Sequence, residues 1–444
     1  GSICEDGSVK IKLTKVGKDS TVGQIEKLIT TAQSTKPSAQ SLADKAAAWL
    51  TYVAVSTAIL SILVWSLVIG KPFVFSITLG ITVLVIACPH ALGLAIPTVI
   101  TIATRLAVKN GLFIKDLKKL EVVKKADYIL FDKTGTLTKG EFKVSDVQAF
   151  QGTDKQEFLS IAAALEENSS HVIGTAIIKY AKEQEVEITN TDSFKTVAGK
   201  GIRGQVAGTT YFLGNLKFIK DKSSLSDDQL DKYKSLQEQG STTIILATKE
   251  KALGLIALKD QLKPESKTTI EKLHKQGLKV AMITGDTQKV AKSVADELNI
   301  DQVFAEVLPE DKYKFVKKLQ EEGNVVIMVG DGINDAPALT QADVGVAVGA
   351  GADVAVEAGD VVLTHSKPDS IVNLVTLSKK VYAKMIQNLF WALGYNIVAI
   401  PAAAGIFIPL GFKLSPSAGA ILMSLSSVIV VINALTLLKA DLSS

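Results

Sequence analysis

The stretch FDKTGTLT, Phe131 to Thr138, decides the fold of this chain. It ends the apolar run Tyr128–Phe131, which predicts a buried strand bounded by turn residues. Asp132 therefore lies at the carboxyl end of a strand, where ligands bind in open α/β sheets. A carboxylate there can accept a phosphoryl group, with Lys133 and backbone N–H groups balancing the charge. The alternative is an ordinary polar turn, which seven specified residues in a row disfavour.

The sequence from Lys259 onward alternates between apolar runs and helical segments, as in a parallel sheet covered by helices. The predicted strands are Leu278–Ile283, Asn324–Val329, Asp343–Val348 and Val361–Leu363. The predicted helices are Pro264–Gln276, Gln288–Leu298 and Glu310–Glu321. This region and the first stretch together predict one α/β domain interrupted by an insertion.

Aspartates follow three of these predicted strands, at Asp132, Asp286 and Asp331. Carboxylates gathered at one edge of a sheet would repel one another unless a hard cation joins them. Mg²⁺ prefers such oxygen ligands together with substrate phosphate. Lys312, just after Pro309, can reach the same phosphate as a point charge. A single strand-end aspartate can be a loop turn, but three in one sheet predict a magnesium and phosphate site.

The insertion, residues 139–258, is of mixed α and β type. One predicted helical segment, Glu157–Lys182, carries Glu166 and His171. A glycine-rich part follows, with glycines that let backbone approach a flat ligand such as adenine; its candidate residues are Gly199, Gly201, Ile202, Gly214 and Asn215. Glu166 can accept a hydrogen bond from an exocyclic amine. The glycines are not a dinucleotide fingerprint, because no helix with the required acid follows, and His171 can equally be a surface residue.

Apolar residues make up 47% of the 444 residues and are unevenly distributed. Four windows lack Asp, Glu, Lys and Arg, and each exceeds the roughly 20 residues of a spanning helix; they are Ala46–Gly70, Pro72–Thr104, Met385–Phe412 and Leu414–Leu438. They predict four transmembrane helices in two hairpins. The basic residues flanking the hairpins place the large charged region in the cytoplasm.

The second window carries Cys88-Pro89-His90 and, further on, Pro97. Proline inside a helix removes a hydrogen bond, so the helix should kink or unwind here. A thiol and an imidazole beside free carbonyls predict a soft-metal site within the membrane. The alternative is a cysteine that packs as a small apolar residue and a histidine bonded to a neighbouring helix.

The last two windows hold polar side chains in apolar surroundings, which usually face the interior of a helix bundle; they are Asn388, Tyr395, Asn396, Ser426, Ser427 and Asn433. Serine and asparagine often only join helices to one another. Met423 offers a soft thioether, but methionine is as often a packing residue.

The net charge of +4 is small for this length and predicts no nucleic-acid partner. Two cysteines exclude a disulfide framework and a multi-cysteine zinc module. Residues 1–45 contain a predicted strand, Ser8–Val16, and a helical pattern from Val22 to Ala32, too little apolar material for a core.

With DKTGTLT, CPH, TGD and GDGIND together, the chain resembles the heavy-metal-transporting P-type ATPases over essentially all its length. The resemblance implies a multi-domain α/β protein with four transmembrane helices. Its soluble core would be a haloacid-dehalogenase-like (Rossmannoid) phosphorylation domain with an inserted α+β nucleotide-binding domain. It also implies ATP and Mg²⁺ as cofactors, a transported copper ion, and a multi-pass location in the cell membrane.

The resemblance implies that Asp132 takes the γ-phosphate of ATP, that Asp132, Thr134 and Asp331 hold Mg²⁺, and that Lys312 and Thr284 hold the phosphoryl group. The remaining residues of the catalytic motifs are Lys133, Gly285, Asp286, Asn334 and Asp335. The adenine pocket would comprise Glu166, His171, Gly199, Gly201, Ile202, Gly214 and Asn215. The transported ion would be held by Cys88 and His90, with Tyr395, Asn396, Met423 and Ser427 as candidate companions.

Cys-Pro-His and the stretch MSLSS, Met423–Ser427, resemble the copper and silver exporters of prokaryotes. One thiol with one imidazole suits both Cu⁺ and Cu²⁺, and Zn²⁺ or Co²⁺ remains the alternative ion. A membrane-tethered phosphatase of the same fold is the alternative function. Such phosphatases usually carry a second acid two residues after the nucleophile, where this chain has Thr134.

The resemblance predicts six segments: the end of an actuator domain (1–45), a membrane hairpin (46–107), a phosphorylation domain in two parts (108–138 and 259–380), the nucleotide-binding domain (139–258) and a second hairpin (381–440). The chain contains no Thr-Gly-Glu, the family's dephosphorylation loop, and has Val172 where the family has proline after the histidine. We therefore expect a fragment. Expected partners are membrane lipid, the metal ion, and a copper chaperone or the missing N-terminal part.

Overall fold

The computed structural model describes residues 38–167, 172–197, 200–331, 333–349 and 358–442. The predicted strand Ser8–Val16 and the helical pattern Val22–Ala32 lie outside the described residues. The described part forms two compact units: one contains the apolar helices, and the other contains residues 127–359 and 366–369.

The helices in chain order are α1 Ser38–Leu63, α2 Phe73–Ile86, α3 His90–Lys109, α4 Lys118–Val123, α5 Lys155–Glu166, α6 Val172–Glu183, α7 Leu216–Lys220, α8 Asp227–Glu238, α9 Ser266–Lys275, α10 Gln288–Leu298, α11 Lys312–Glu321, α12 Ala336–Gln341, α13 Asp369–Ala403 and α14 Pro416–Leu435. The strands are β1 Leu112–Ile114, β2 Tyr128–Asp132, β3 Thr138–Ala149, β4 Ser193–Val197, β5 Gly201–Val206, β6 Thr209–Gly214, β7 Thr242–Ala247, β8 Ala252–Leu262, β9 Lys279–Ile283, β10 Gln302–Phe304, β11 Val326–Gly330, β12 Val344–Val348 and β13 Val361–Leu363.

The soluble unit contains a parallel sheet in the order β12-β11-β2-β9-β10. All five residues of β11 and all five residues of β12 are buried, as expected for a sheet covered on both faces. The strands and helices predicted from Lys259 onward are confirmed to within about two residues, which is the usual ambiguity at element ends. β2 lies between β11 and β9, so Asp132 ends a central strand.

The insertion forms an antiparallel sheet in the order β3-β8-β7-β6-β5-β4. Helices α5 and α6 pack on one face around Phe158, Leu165 and Ile177. Residues of α7 and α8, including Phe218 and Leu236, form a second apolar cluster with the sheet. The prediction of a single helical segment over Glu157–Lys182 is wrong. Its apolar faces belong to two helices, because α5 ends at Glu166 and α6 begins at Val172.

Among the described residues, three segments are long and apolar enough to cross a membrane: Ala39–Val68, Phe73–Lys109 and Pro416–Lys439. They correspond to three of the four expected spans. The remaining window, Met385–Phe412, forms the second half of α13 and a short helix, Ile408–Leu410, in place of a helix of its own. Amides in that half of α13, such as Asn388 and Asn396, make it less apolar than the other three.

The second half of α13 nonetheless packs among the other apolar helices. Ala399, Ile400 and Ala403 share one buried cluster with residues of α1 and α2, including Leu50 and Ile86. The amides of this half of α13, Asn388 and Asn396, are buried among these helices, where polar side chains in apolar surroundings usually lie.

The second span is interrupted where Cys-Pro-His predicts it. Helix α2 ends at Ile86 and α3 begins at His90, so Ala87, Cys88 and Pro89 lie between two helices. Pro97, in contrast, lies inside α3, which continues past it. The chain unwinds only at the first proline, and this exposes backbone carbonyls next to Cys88.

Candidate functional site

The parallel sheet brings three strand ends to one edge. Asp132, the last residue of β2, is paired in register with Ile283 of β9, and Phe131 is paired with Val329 of β11. The chain therefore leaves all three strands at the same level. The loops beginning at Lys133, Thr284 and Asp331 surround one point, as the sequence predicts.

Lys312, the first residue of α11, joins two of the carboxylates at this point. Its Nζ lies 2.7 Å from Asp132 Oδ1 and 2.6 Å from Asp335 Oδ1, and all three residues are buried. Burial lowers the pKa of Lys312, but the two carboxylates outweigh it, so the net pKa of this ammonium group is raised. Lys312 thus stays charged beside the predicted phosphoryl acceptor.

Carboxylate oxygens of Asp132, Asp331 and Asp335 all lie within 4.8 Å of one another. Burial, and then the charge of Asp335, raises the pKa of Asp132 to about 7, although Lys312 opposes the shift. Burial and Asp335 also raise the pKa of Asp331. The cluster is thus a group of closely spaced acidic side chains, and its all-oxygen donor set fits Mg²⁺.

Gly135 allows Asp331 to approach the loop after Asp132. It has a φ of +76°, and a Cβ atom there would lie 1.7 Å from Asp331 Oδ2. No other residue fits this position without moving the carboxylate. The carbonyl oxygen of Gly135 accepts a hydrogen bond of 2.5 Å from Lys263 Nζ. Burial lowers the pKa of Lys263, against the opposing effect of Asp331.

Lys133 faces a second pair of carboxylates. Its Nζ lies 2.6 Å from Asp286 Oδ2 and 3.6 Å from Asp260 Oδ2. The hydroxyl of Thr138 donates to the same Asp260 oxygen at 2.6 Å. Lys133 is therefore held by ion pairs on the far side of the loop from Lys312.

Asp260 and Lys263 are members of this site that sequence reasoning missed. Both lie at or just after the end of β8, whose first seven residues are all buried. Asp260 itself is buried, and its Oδ1 has no hydrogen-bond partner among the described residues. The signal available in the sequence was the charged group Lys259–Lys263 directly after an apolar run, LGLIAL.

The other predicted catalytic residues differ in their exposure to solvent. Thr284 is buried, and its hydroxyl lies 3.3 Å from Asp286 Oδ2. Thr134, Gly285 and Asn334 are exposed at the ends of their loops. The exposed residues are available to an incoming ligand, while the buried ones hold the carboxylates and lysines in place.

A cavity of about 380 Å³ lies in the inserted domain. It is lined by the predicted pocket residues Glu166, Gly201, Ile202, Gly214 and Asn215 and by apolar residues that the sequence did not single out, among them Ile173, Val197 and Ile244. Gly285, from the loop after β9, also lines it. The cavity therefore extends from the inserted domain to a loop of the aspartate cluster. His171 and Gly199 lie outside the described residues.

Two glycines make one wall of this cavity possible. Gly201 and Gly214 are paired across β5 and β6. A Cβ at Gly201 would lie 2.2 Å from the carbonyl oxygen of Leu213, and one at Gly214 would lie 2.4 Å from that of Lys200. The two strands therefore approach more closely here than residues with side chains would allow, and both glycines line the cavity. Asn215 caps α7, because its Oδ1 accepts from the N–H of Phe218 at 2.9 Å.

Glu166 is buried at the end of α5 and packs against Gly174 of α6. A Cβ at Gly174 would lie 2.5 Å from Glu166 Oε2. The absence of a side chain at Gly174 therefore sets where the Glu166 carboxylate can lie. Sequence reasoning singled out Glu166 and missed Gly174, because the two residues belong to different helices.

The apolar unit gathers part of the predicted ion site. The hydroxyl of Tyr395 donates to the carbonyl oxygen of Ile86 at 3.1 Å, beside the break that holds Cys88. Asn396 and Ser426 lie next to that hydroxyl. Asn396 is buried, and its Oδ1 has no hydrogen-bond partner among the described residues.

The other candidate ligands are less enclosed. Cys88, Met423 and Ser427 are half-buried, and His90 is exposed on the surface of this unit. The hydroxyls of Ser426 and Ser427 both donate to the carbonyl oxygen of Met423. Ser426, which was not among the candidate ligands, lies closer to Tyr395 than the sequence pattern indicated.

Comparisons with known proteins agree on one family. The haloacid dehalogenase-like hydrolase family matches residues 126–343. The chain is 45% identical to copper-exporting P-type ATPase B of Archaeoglobus fulgidus, over 98% of this chain and 62% of that protein. It is 44% identical to a probable copper-transporting P-type ATPase B of Staphylococcus aureus, over 98% of this chain and 64% of that protein.

A similar solved structure is that of a zinc-transporting PIB-type ATPase in the E2.Pi state, with a TM-score of 0.74 and 32% identity. The match covers 95% of this chain and 68% of that one. The chain thus spans about three fifths of the length of the curated relatives and about two thirds of the solved one.

Substitution Gly174→Ala should weaken binding of adenine nucleotide to the isolated chain about tenfold, because the added methyl group displaces the Glu166 carboxylate from the cavity. Calorimetric titration with a non-hydrolysable ATP analogue measures the effect. Thr175→Ala, at the exposed neighbouring position, is the matched control and should bind as the wild type does. Equal affinity in all three proteins would contradict the role of Glu166 in this cavity.

Proposed function

The chain belongs to the PIB-type P-type ATPases, and from that membership we propose that it carries the catalytic and ion-binding parts of an ATP-driven copper transporter. The observation that carries the proposal is the position of Asp132, a buried strand-end carboxylate paired with Lys312. An aspartyl-phosphate at this residue would be the intermediate.

Asp132 acts as the nucleophile of this reaction. One oxygen of its carboxylate forms a bond to the γ-phosphorus of ATP, and the bond from that phosphorus to the bridging oxygen of ADP breaks. Lys312 offsets the charge of the transferred phosphoryl group, and Lys133, in the loop directly after Asp132, is held by its ion pairs with Asp286 and Asp260. The exposed hydroxyl of Thr134 lies in the same loop but cannot act as a general acid at neutral pH, so the phosphorylated aspartate is not set up for immediate hydrolysis.

Asp331 and Asp132 are the residues that would hold Mg²⁺, with Asp335 fixed beside them by Lys312. Bound Mg²⁺ supplies charge neutralisation for the phosphate oxygens and for the cluster itself. The shape of the loop supports this assignment, because Gly135 leaves room for the Asp331 carboxylate where any side chain would displace it.

The cavity of the inserted domain would hold the adenine ring. Its glycine wall and apolar lining suit a flat aromatic base, and Glu166 can accept from the exocyclic amine. Gly285 at the rim of the cavity supports a nucleotide that extends from this pocket toward Asp132.

Copper is the transported ion that the observations support best. Both curated relatives above, at 44–45% identity, are named as copper transporters, whereas the zinc-transporting relative is 32% identical. Cys88 and His90 would be ligands, with Tyr395, Asn396, Met423 and Ser427 as companions, and Ser426 is now added to them. A thiol, an imidazole and amide or hydroxyl oxygens suit Cu⁺ or Cu²⁺, and the thiol with the thioether suits Ag⁺.

Membrane lipid and the metal ion are the partners of such a protein, which acts in the cell membrane. We also propose that the copper ion is delivered by a copper chaperone or by the N-terminal part of a longer protein. Zn²⁺ or Co²⁺ stays the alternative cargo, since the zinc-transporting relative shares the fold.

Incubation of the chain with γ-labelled ATP and Mg²⁺ should give an acid-stable, hydroxylamine-sensitive phosphoprotein, because an acyl phosphate has that reactivity. Asp132→Asn should abolish the label while leaving nucleotide affinity unchanged. Label retained in Asp132→Asn would refute the assignment of the phosphorylated residue.

Lys312→Met should lower the rate of phosphorylation by about 10²- to 10³-fold, because it removes the fixed charge beside Asp132. Lys314→Met, on the same helix but exposed and paired only with Asp311 among the described residues, should leave the rate unchanged. Quenched-flow measurement of label incorporation compares the two, and equal rates would contradict the role of Lys312.

Phosphorylation measured with Cu⁺, Ag⁺, Cu²⁺ and Zn²⁺ in turn should be stimulated by copper or silver. Cys88→Ser should remove the stimulation, because a hydroxyl is a poor ligand for a soft ion. Stimulation by Zn²⁺ alone would favour the alternative cargo, and full stimulation in Cys88→Ser would exclude this thiol as a ligand.

A further inference from the structure

A chain of hydrogen bonds crosses three helices of the apolar unit. Lys384 Nζ donates to Asn433 Oδ1 at 2.9 Å, and Asn433 Nδ2 donates to Asn388 Oδ1 at 2.8 Å. Asn388 Nδ2 then donates to the carbonyl oxygen of Ala95 at 2.8 Å. These four residues, which we call the asparagine ladder, join α13, α14 and α3.

The ladder satisfies polar groups that an apolar environment would otherwise penalise. Asn388 is fully buried, with 0% of its surface exposed. Its amide nitrogen and its amide oxygen both have partners in the ladder, and so do both ends of Asn433. A shift of α3 or α14 along α13 would break these bonds and leave a polar group unpaired among apolar side chains. The ladder therefore specifies one alignment of the three helices.

The charged ammonium group of Lys384 sets the direction of donation in the hydrogen bonds of the ladder. Lys384 is a donor only, so each following amide must accept on its oxygen and donate from its nitrogen until the Ala95 carbonyl is reached. Hydrogen bonds aligned in one direction polarise and strengthen one another. Gln387 Oε1 accepts from the same ammonium at 3.0 Å and helps to hold it at this place.

A second hydrogen bond from α13 reaches the chain on the other side of the Cys-Pro-His break. The carbonyl oxygen of Ile86 accepts from the Tyr395 hydroxyl at 3.1 Å. In an uninterrupted helix this carbonyl would accept from the N–H of residue 90, four positions later. Here α2 ends at Ile86, so Tyr395 supplies a donor at the end of the helix.

The hydrogen bonds from α13 to Ala95 and to Ile86 lie on opposite sides of the break. Ile86 precedes Cys88 by two residues, and Ala95 follows His90 by five. Asn388 and Tyr395 are seven positions apart, which places them on one face of α13 about 10 Å apart. One face of α13 thus holds the chain on both sides of Cys88, where regular helical hydrogen bonds are interrupted.

We propose that the asparagine ladder positions Cys88 for the transported ion, with Asn388 and Asn433 as positioning residues that do not touch the ion. This inference rests on the proposed function, because it assigns Cys88 as a ligand. The ladder fixes α3 after the break and the Tyr395 bond fixes the end of α2 before it, so the backbone that carries Cys88 is held on both sides. Residues that orient metal ligands in this way commonly affect affinity about 10- to 100-fold.

The test compares Asn388→Leu with the wild type in phosphorylation titrated with Cu⁺ and, separately, with Cu²⁺. Leucine has nearly the size of asparagine and removes both of its hydrogen bonds. We expect the half-maximal metal concentration to rise about tenfold or more, with the maximal phosphorylation and the affinity for ATP unchanged. The matched control is Thr98→Val, a half-buried residue of α3 whose hydroxyl bonds only within its own helix among the described residues.

Each outcome decides a different point. An unchanged half-maximal concentration in Asn388→Leu, or an equal shift in Thr98→Val, overturns the positioning role. Failure of the wild type to respond to either ion refutes the proposed function and not the ladder alone. If Asn388→Leu does not fold, as shown by aggregation of the detergent-solubilised protein in size-exclusion chromatography, Asn433→Leu decides. Asn433 is half-buried, and its replacement leaves the bond between Asn388 and Ala95 in place. A several-fold rise in the half-maximal metal concentration therefore supports the positioning role, and an unchanged value overturns it.

Discussion

One ammonium group, that of Lys312, holds together two carboxylates that would otherwise repel each other at the edge of the parallel sheet. Its ion pairs with Asp132 and Asp335, both buried, join α11 to the ends of β2 and β11 and their following loops. Removing one partner would leave an uncompensated buried charge, which is among the costliest changes in a protein. The loop of Gly135 and the position of Asp331 depend on this arrangement, because both lie against the same cluster.

The proposed ion site in the apolar unit also depends on the pairing of buried polar groups. Polar groups among membrane helices must find partners within the protein. The amides of Asn388 and Asn433 find them in each other and in a carbonyl oxygen, whereas Asn396 keeps a buried oxygen without a partner among the described residues. The satisfied amides fix helix positions, and the unsatisfied one is placed beside Tyr395, where an ion would provide what it lacks.

The sequence was informative wherever function depends on residues that follow one another along the chain. A strand-end aspartate needs an apolar run before it and a loop after it, so Asp132, Asp286 and Asp331 could be assigned to one edge of a parallel sheet. The break at Cys88 follows from Pro89, which cannot donate a backbone hydrogen bond. Charge-free windows located the three candidate membrane spans, whereas the window in α13 is less apolar because of its amides.

The amino-acid sequence by itself thus determined the fold class, the order of the motifs and the identity of the central aspartate. Only the tertiary structure decided which distant residues complete each site. Asp260 meets Lys133, Gly174 makes room for Glu166, and Asn433 reaches Asn388 across elements that are far apart in sequence. Such contacts carry no local periodicity, because they arise from the packing of one element on another. The physical reason is that backbone propensity and hydrophobic pattern are local, whereas the pairing of buried polar groups depends on which surfaces meet.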